Sequence, residues 1–275
     1  MKRLVLIILF GVLFTFSLNA QDRDTMLKTD DITAVNDSIL SEAYQLYLHE
    51  KVAWILEDLF YGSQSDAIKN VEGWIPISED GVNVKGIFFN HEKNKALYEA
   101  SINIQTGEAS TTDSVRDLTS DEIEKITVYY QVINAVTSLD NVPTCPEGCT
   151  FNIQVMNLDK DHYRVYWILG TSQQGLIPFG CDFSYDCDSS GNIQSFRRYH
   201  NSYVPAMLMF DGEPVREITH SHTSLSPYIA PTDIALFLLY GYESSELKGF
   251  KVYSTVFKCY FVFDAETYEI KVEKS

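Results

Sequence analysis

The 275-residue chain reads as an α+β protein with mixed and antiparallel sheets and a few helices. Three observations predict this. An early segment repeats apolar residues at helical spacing, and short β-prone runs separated by turn residues follow it. After a proline-bearing interval over 140–148, strand signals return and dominate to the end of the chain.

Met1, Lys2 and Arg3 precede an uncharged apolar run from Leu4 to Leu18, followed by Asn19, Ala20 and the polar Gln21 to Asp24. A charged start, a short apolar core and a small residue before a polar stretch are the marks of a secretory signal peptide, cut here after Ala20. The run is shorter than the ~20 residues a spanning helix prefers, and no cysteine follows Ala20 to carry a lipid. The expectation is an exported protein, periplasmic or extracellular, with no stable membrane insertion after cleavage. It divides into residues 1–20 as signal peptide, 21–142 as an N-terminal α+β region and 143–275 as a C-terminal domain.

Leu40, Tyr44, Leu48, Val52, Ile55 and Leu59 recur every three or four residues, so a helix with one apolar stripe is expected to end near Gly62. From Trp74 to Ala109, β-formers alternate with turn signals at 79–81, 91–94 and 105–107, which predicts three or four short antiparallel strands. Thr119-Ser120-Asp121-Glu122 is a capping box. It opens a second helix running to about Thr137, with Ile123, Ile126, Tyr130 and Ile133 facing inward. In the C-terminal part, Phe151–Leu158, Tyr163–Leu169, Leu176–Tyr185 and Ile193–Tyr199 read as successive strands, the last two joined by a hairpin through Asp188 to Asn192. A strand through His220 and His222, a short buried helix from Asp233 to Tyr240 and three closing strands from Phe250 onward complete the series.

The formal net charge is −17, and cleavage would remove two positive side chains, Lys2 and Arg3. Phosphate backbones and anionic lipid surfaces are repelled by such a chain, and Arg197-Arg198 is the one adjacent basic pair after residue 20. Nucleic acid is therefore excluded as a partner. Cys145, Cys149, Cys181, Cys187 and Cys259 predict disulfides or free thiols in an exported protein, with at least one left over and the connectivity open. Their spacings are not the short CxxC pairs of common zinc modules. His49, His91 and His162 read as surface or interface residues, and Trp54, Trp74 and Trp167 as packing rather than a sugar-binding platform.

Chemistry concentrates in residues 219–234. On a strand, His220 and His222 share one face. Pro231 and Asp233 place a carboxylate in the first turn of a helix that follows. Two imidazoles, one carboxylate and a water form the ligand set of many catalytic zinc sites. This segment resembles the signature of the JAB/MPN (JAMM) metalloprotease domain: His-x-His, seven residues, Ser, two residues, Asp. His220-Ser221-His222, Thr223 to Ile229, Ala230 and Pro231-Thr232-Asp233 match that spacing over fourteen residues, with Ala230 at the serine position.

The resemblance implies a JAB/MPN-like α/β fold for the C-terminal domain, with zinc held by His220, His222 and Asp233 and hydrolysis of peptide or isopeptide bonds. The family's catalytic Glu, on an earlier strand, has no counterpart, for no Glu lies between Gly148 and Asp211. Glu217 has the wrong strand parity to join His220, and Asp182, Asp186 and His200 stand as substitute proton acceptors with no catalytic residue selected. The competing expectation is a non-catalytic exported module of the same fold that binds a peptide or protein ligand, its metal structural or absent.

Overall fold

A computed structural model describes residues 6–7, 29–63, 65–78, 82–113, 115–137, 144–159 and 161–275. The signal-peptide reading of residues 1–20 falls outside these, apart from Leu6–Ile7, whose backbone pairs parallel with Ile218–Thr219. Among the described residues no helix is long and apolar enough to cross a membrane.

Helix α1 spans Thr29–Gly62. Its buried positions include Ala43, Leu46, Val52, Leu56 and Phe60, whereas Tyr44, which the periodicity places on the stripe, is 47% exposed. The reason is that α1 has different partners along its length. Ile39, Leu40 and Ala43 join a core with Phe237, Phe250, Phe261 and Phe263 from the end of the chain. Leu46 packs with Tyr166, Ile168 and Ala235. Val52, Leu56 and Phe60 pack with Phe88, Tyr98 and Ala100 of the N-terminal sheet. The buried arc is thus wider than a single stripe at 3.6-residue spacing. Polar contacts repeat the pattern: Asn36 donates to the Ile270 carbonyl, the Tyr268 hydroxyl to the Leu40 carbonyl, and Arg164 to Glu42.

The N-terminal sheet is an antiparallel meander of β1 (Val71–Ser78), β2 (Asn83–Asn90), β3 (Lys95–Asn103) and β4 (Ala109–Thr112). β3 alternates between buried and half-buried positions along its whole length, as a strand covered on one face should. Helix α2, Ser120–Thr137, starts at the predicted capping box: the Thr119 hydroxyl accepts from the Glu122 N–H, and the Glu122 carboxylate accepts from the Thr119 N–H. Ile126 packs towards β1–β3, while Val128 and Val132 pack onto Val165, Trp167 and Phe183. Ile123, expected inside, is 42% exposed, because α2 is gripped from two sides and its buried residues divide between them.

The second sheet runs β9-β8-β6-β5, all antiparallel, from β5 (Cys149–Asn157), β6 (His162–Thr171), β8 (Phe183–Asp188) and β9 (Ile193–Arg198). Side chains alternate across a strand. Val165 and Trp167 of β6 therefore meet α2, and Tyr166 and Ile168 meet α1.

The run Leu176–Tyr185, expected as one strand, is broken. β7 (Leu176–Gly180) leaves to pair with β10 (Tyr203–Met207), and β8 begins only at Phe183. Gly180 and Cys181 have successive positive φ angles of 95° and 54°, a conformation that turns the chain out of extended geometry. A Cβ on Gly180 would lie 2.1 Å from the Ser202 carbonyl oxygen, so glycine is required there.

The last sheet holds β11 (Ile218–His222), β12 (Gly249–Ser254), β13 (Cys259–Asp264) and β14 (Glu269–Lys274) in that order, with β11 parallel to β12 and the others antiparallel. The crossover from β11 to β12 contains α3 (Pro231–Leu236), which continues as a π-helical turn to Tyr242. All of α3 is buried. The architecture is a mixed α+β fold. All five cysteines are free thiols, with Cys187 and Cys259 buried.

Candidate metal centre

The strand β11 buries Ile218, His220 and His222 on one face and turns Thr219 and Ser221 to the other. Ala230 is the N-cap of α3 and Pro231 its first residue, where a missing N–H costs nothing. Asp233 is the third, and its Oδ2 accepts the Ala230 N–H at 2.9 Å, the carboxylate half of a capping box. That bond aims the carboxylate towards β11. Two residues beyond β9, His200 arrives from a third direction. The Tyr199 N–H donates to the Asp182 carbonyl at 3.1 Å, which holds residues 199–200 beside the break between β7 and β8.

Three imidazole Nε2 atoms and one carboxylate converge. His200 Nε2 lies 2.8 Å from His222 Nε2 and 3.5 Å from His220 Nε2. Asp233 Oδ1 lies 3.2 Å from both His200 Nε2 and His220 Nε2, and Oδ2 lies 3.3 Å from His222 Nε2. A tetrahedral ion with bonds of ~2.0–2.1 Å has ligand atoms about 3.3 Å apart. The five separations scatter around that edge length. Within this cage Asp233 Oδ1 has no hydrogen-bond partner, and all four side chains are buried. Among the described residues, His200, His220, His222 and Asp233 are the group that could hold a metal ion.

The surroundings fix the ring orientations. Asp182, fully buried, accepts from His200 Nδ1 at 2.6 Å, and its second oxygen accepts the Thr232 hydroxyl. His222 Nδ1 donates to the Tyr228 carbonyl. Both bonds leave Nε2 as the inward-facing atom, the arrangement by which outer partners select a ligating tautomer. His220 is placed differently. Its Nδ1 is buried without a partner, and its ring lies between Phe179, at 5.2 Å, and the nearly parallel Phe250, at 6.1 Å. Aromatic walls position it where hydrogen bonds position the other two.

Electrostatics keep the cluster coupled. Burial opposes a charge on His200, but Asp182 and Asp233 outweigh it and hold its pKa well above the usual imidazole value. For His222 burial wins over Asp233 and pushes the pKa down to about 3. Burial also works to raise Asp233, yet the three imidazoles around it keep its carboxyl well below the usual range. His222 and Asp233 are thus held in the protonation states that bind metal, whereas His200 would have to give up its Nε2 proton to do so.

His220, His222 and Asp233, the sequence-predicted ligands, are thus brought together. His200, considered from the sequence as a proton acceptor, joins them as a fourth group that could ligate. Asp182 supports His200, whereas Asp186 lies elsewhere, paired with Arg164 at 2.6 Å. Glu213 is exposed in a hairpin of Met209–Phe210 with Glu213–Pro214, and Glu217 pairs with Lys251 at 3.8 Å. Neither approaches the cluster as a base. Ala230 packs with Leu46 and Ala235.

Fold and site together define a mixed α+β protein with a buried three-histidine, one-aspartate centre able to hold a metal ion. The chain matches no family model, no curated protein and no solved structure.

Proposed function

We propose that this is an exported zinc-binding protein whose closed metal centre serves a non-catalytic binding or interaction module. The observation that carries this reading is the position of His200. A base working through a metal-bound water would stand one bond of ~2 Å plus one hydrogen bond of ~2.7 Å from the ion, and thus about 4 Å or more from the other ligand atoms. His200 Nε2 instead stands 2.8–3.5 Å from them, at ligand distance. Four protein ligands and no open position are the pattern of structural zinc sites. Three nitrogens and one oxygen near tetrahedral edges favour zinc over ions that prefer six oxygen ligands.

The JAMM-like hydrolase is the second reading, favoured by the spacing from His220 to Asp233. There His200, oriented by Asp182, would leave the ligand set and take the proton of a zinc-bound water. Metal analysis of the purified protein, alone and as the His220→Ala, His222→Ala double variant, tests the common ground. One zinc per chain is expected in the first and none in the second; equal contents would sink both readings. A peptide library then separates them. No cleavage is expected, and hydrolysis abolished by a chelator would overturn the closed-site reading in favour of the hydrolase.

A further inference from the structure

The second half of α1, together with α2, β1 and β5, encloses a second polar feature, whose walls include none of the four residues of the metal centre. It is a cavity of about 410 Å³, within the range of small-molecule sites. Its walls include Trp54 and Trp74, two of the three tryptophans, and the buried Glu50. Glu50 accepts from Asn152 Nδ2 at 2.7 Å and from Gln154 Nε2, both on β5. A wider groove of about 1080 Å³ adjoins it, sharing Trp54 and Asn152 as walls and adding Tyr240. Trp54 is 36% exposed and meets Tyr240 edge-on at 5.4 Å.

One wall residue is left unsatisfied. His49 Nδ1 is buried and has no hydrogen-bond partner. Buried polar atoms are ordinarily paired, so an orphan lining a cavity points to a ligand that supplies the partner. Burial and the nearby Lys125 lower the His49 pKa, which keeps the ring neutral. The Glu50 carboxylate already accepts two amides, and burial raises its pKa despite them. Trp74 Nε1 likewise engages Glu57 at 3.0 Å. Beside the charges of Glu57 and Lys125, the cleft therefore offers neutral hydrogen-bonding groups set among indole and phenol rings.

We propose that the joined cleft binds a neutral oligosaccharide, with Trp54 stacking against a sugar ring and the Glu50, Asn152 and Gln154 cluster together with His49 engaging its hydroxyls. A pyranose presents C–H groups on its faces and hydroxyls on its rim, which suits apolar rings flanked by side chains that both donate and accept. Two cavities meeting at one tryptophan suit a chain of several units rather than a single sugar. A cationic peptide fits less well, because Lys125 lies on the same wall and the Glu50 carboxylate is occupied.

Tryptophan fluorescence of the full protein, titrated with cellohexaose, chitohexaose, maltohexaose and xylohexaose, tests the proposal. At least one should saturate with a dissociation constant below about 1 mM. Trp54→Ala should weaken it about tenfold or more, while Trp167→Phe, in the core between α2 and the second sheet, should not. Bound sugar should also shield the wild-type protein from acrylamide quenching, a readout that does not depend on any variant folding. No binding by all four up to roughly 10 mM overturns the proposal. So do undiminished binding by a folded Trp54→Ala protein, quenching unaffected by saturating sugar, and binding of oligolysine in place of sugars.

Discussion

Replacing Asp182 by asparagine probes the candidate metal centre through a residue outside the four that could hold an ion. Asp182 is fully buried, with one oxygen on His200 Nδ1 at 2.6 Å and the other on the Thr232 hydroxyl. Asparagine keeps the shape. Its amide oxygen can still take the His200 N–H, and its NH2 can face the Thr232 oxygen, whose hydroxyl turns to accept. The fold should therefore survive. What disappears is the negative charge that would make His200 a stronger electron donor to a metal. Loss of such an outer partner typically weakens metal binding about 10–100-fold, or about 1.4–2.7 kcal/mol at ~1.36 kcal/mol per decade. Competition against a chromogenic zinc chelator measures this directly. The same substitution in a His200→Ala background should have no further effect, because Asp182 acts through His200. An affinity within about twofold of wild type, or an undiminished effect in the His200→Ala background, would refute the assignment of His200 as a ligand.

Other outcomes follow from the same structure. Stripping the metal should lower the melting temperature. Free zinc held 1,000-fold above its dissociation constant stabilises by about 4 kcal/mol, or roughly 8–16 °C for a chain of this size, and thermal scans with and without a chelator would show no difference if the site were empty in solution. Gly180→Ala places a Cβ 2.1 Å from the Ser202 oxygen at a φ of 95°. It should cost about 2–4 kcal/mol in urea unfolding and weaken metal binding as Asp182 shifts, whereas an unchanged midpoint would remove the requirement for glycine at the bend. At low pH, Arg116 holds the Glu122 carboxyl below the usual range. A folded pKa depressed below the unfolded one gives stability that is complete above the unfolded value and lost as pH falls through the folded one. Glu122→Gln should therefore flatten the decline in denaturation midpoint below about pH 4.5, and an identical acid profile would show that the pair contributes nothing.

The helices were readable because their signals are local. The capping box at Thr119–Glu122 and the spacing of Val52, Ile55 and Leu59 depend on neighbours within one or two turns. Which face is buried was less readable: Tyr44 and Ile123 follow the period but lie outside, since partners distant in sequence decide where α1 and α2 are covered. In the candidate site, His220, His222 and Asp233 were visible as a spaced motif, whereas the role of His200 was not. Its part depends on the chain turning at Gly180–Cys181, which nothing in the β-prone run Leu176–Tyr185 announces except the glycine itself. A faint signal did exist. The hairpin through Asp188–Asn192 pairs Phe183 with Arg198, so its open end sets Asp182 beside Tyr199 and His200.

The course of α1 bears on how the polypeptide can be divided. Residues 36–47 sit within the core of the C-terminal sheet, and residues 52–60 within that of the N-terminal one. A truncation beginning near residue 143 would leave Phe237, Phe250 and Phe263 without the helix that covers them, and one ending near 142 would leave half of α1 bare. The two halves should consequently melt in a single cooperative transition, and a protease cut between them should release neither as a soluble piece. A helix of 34 residues is thus the spine of both halves rather than an element of the first.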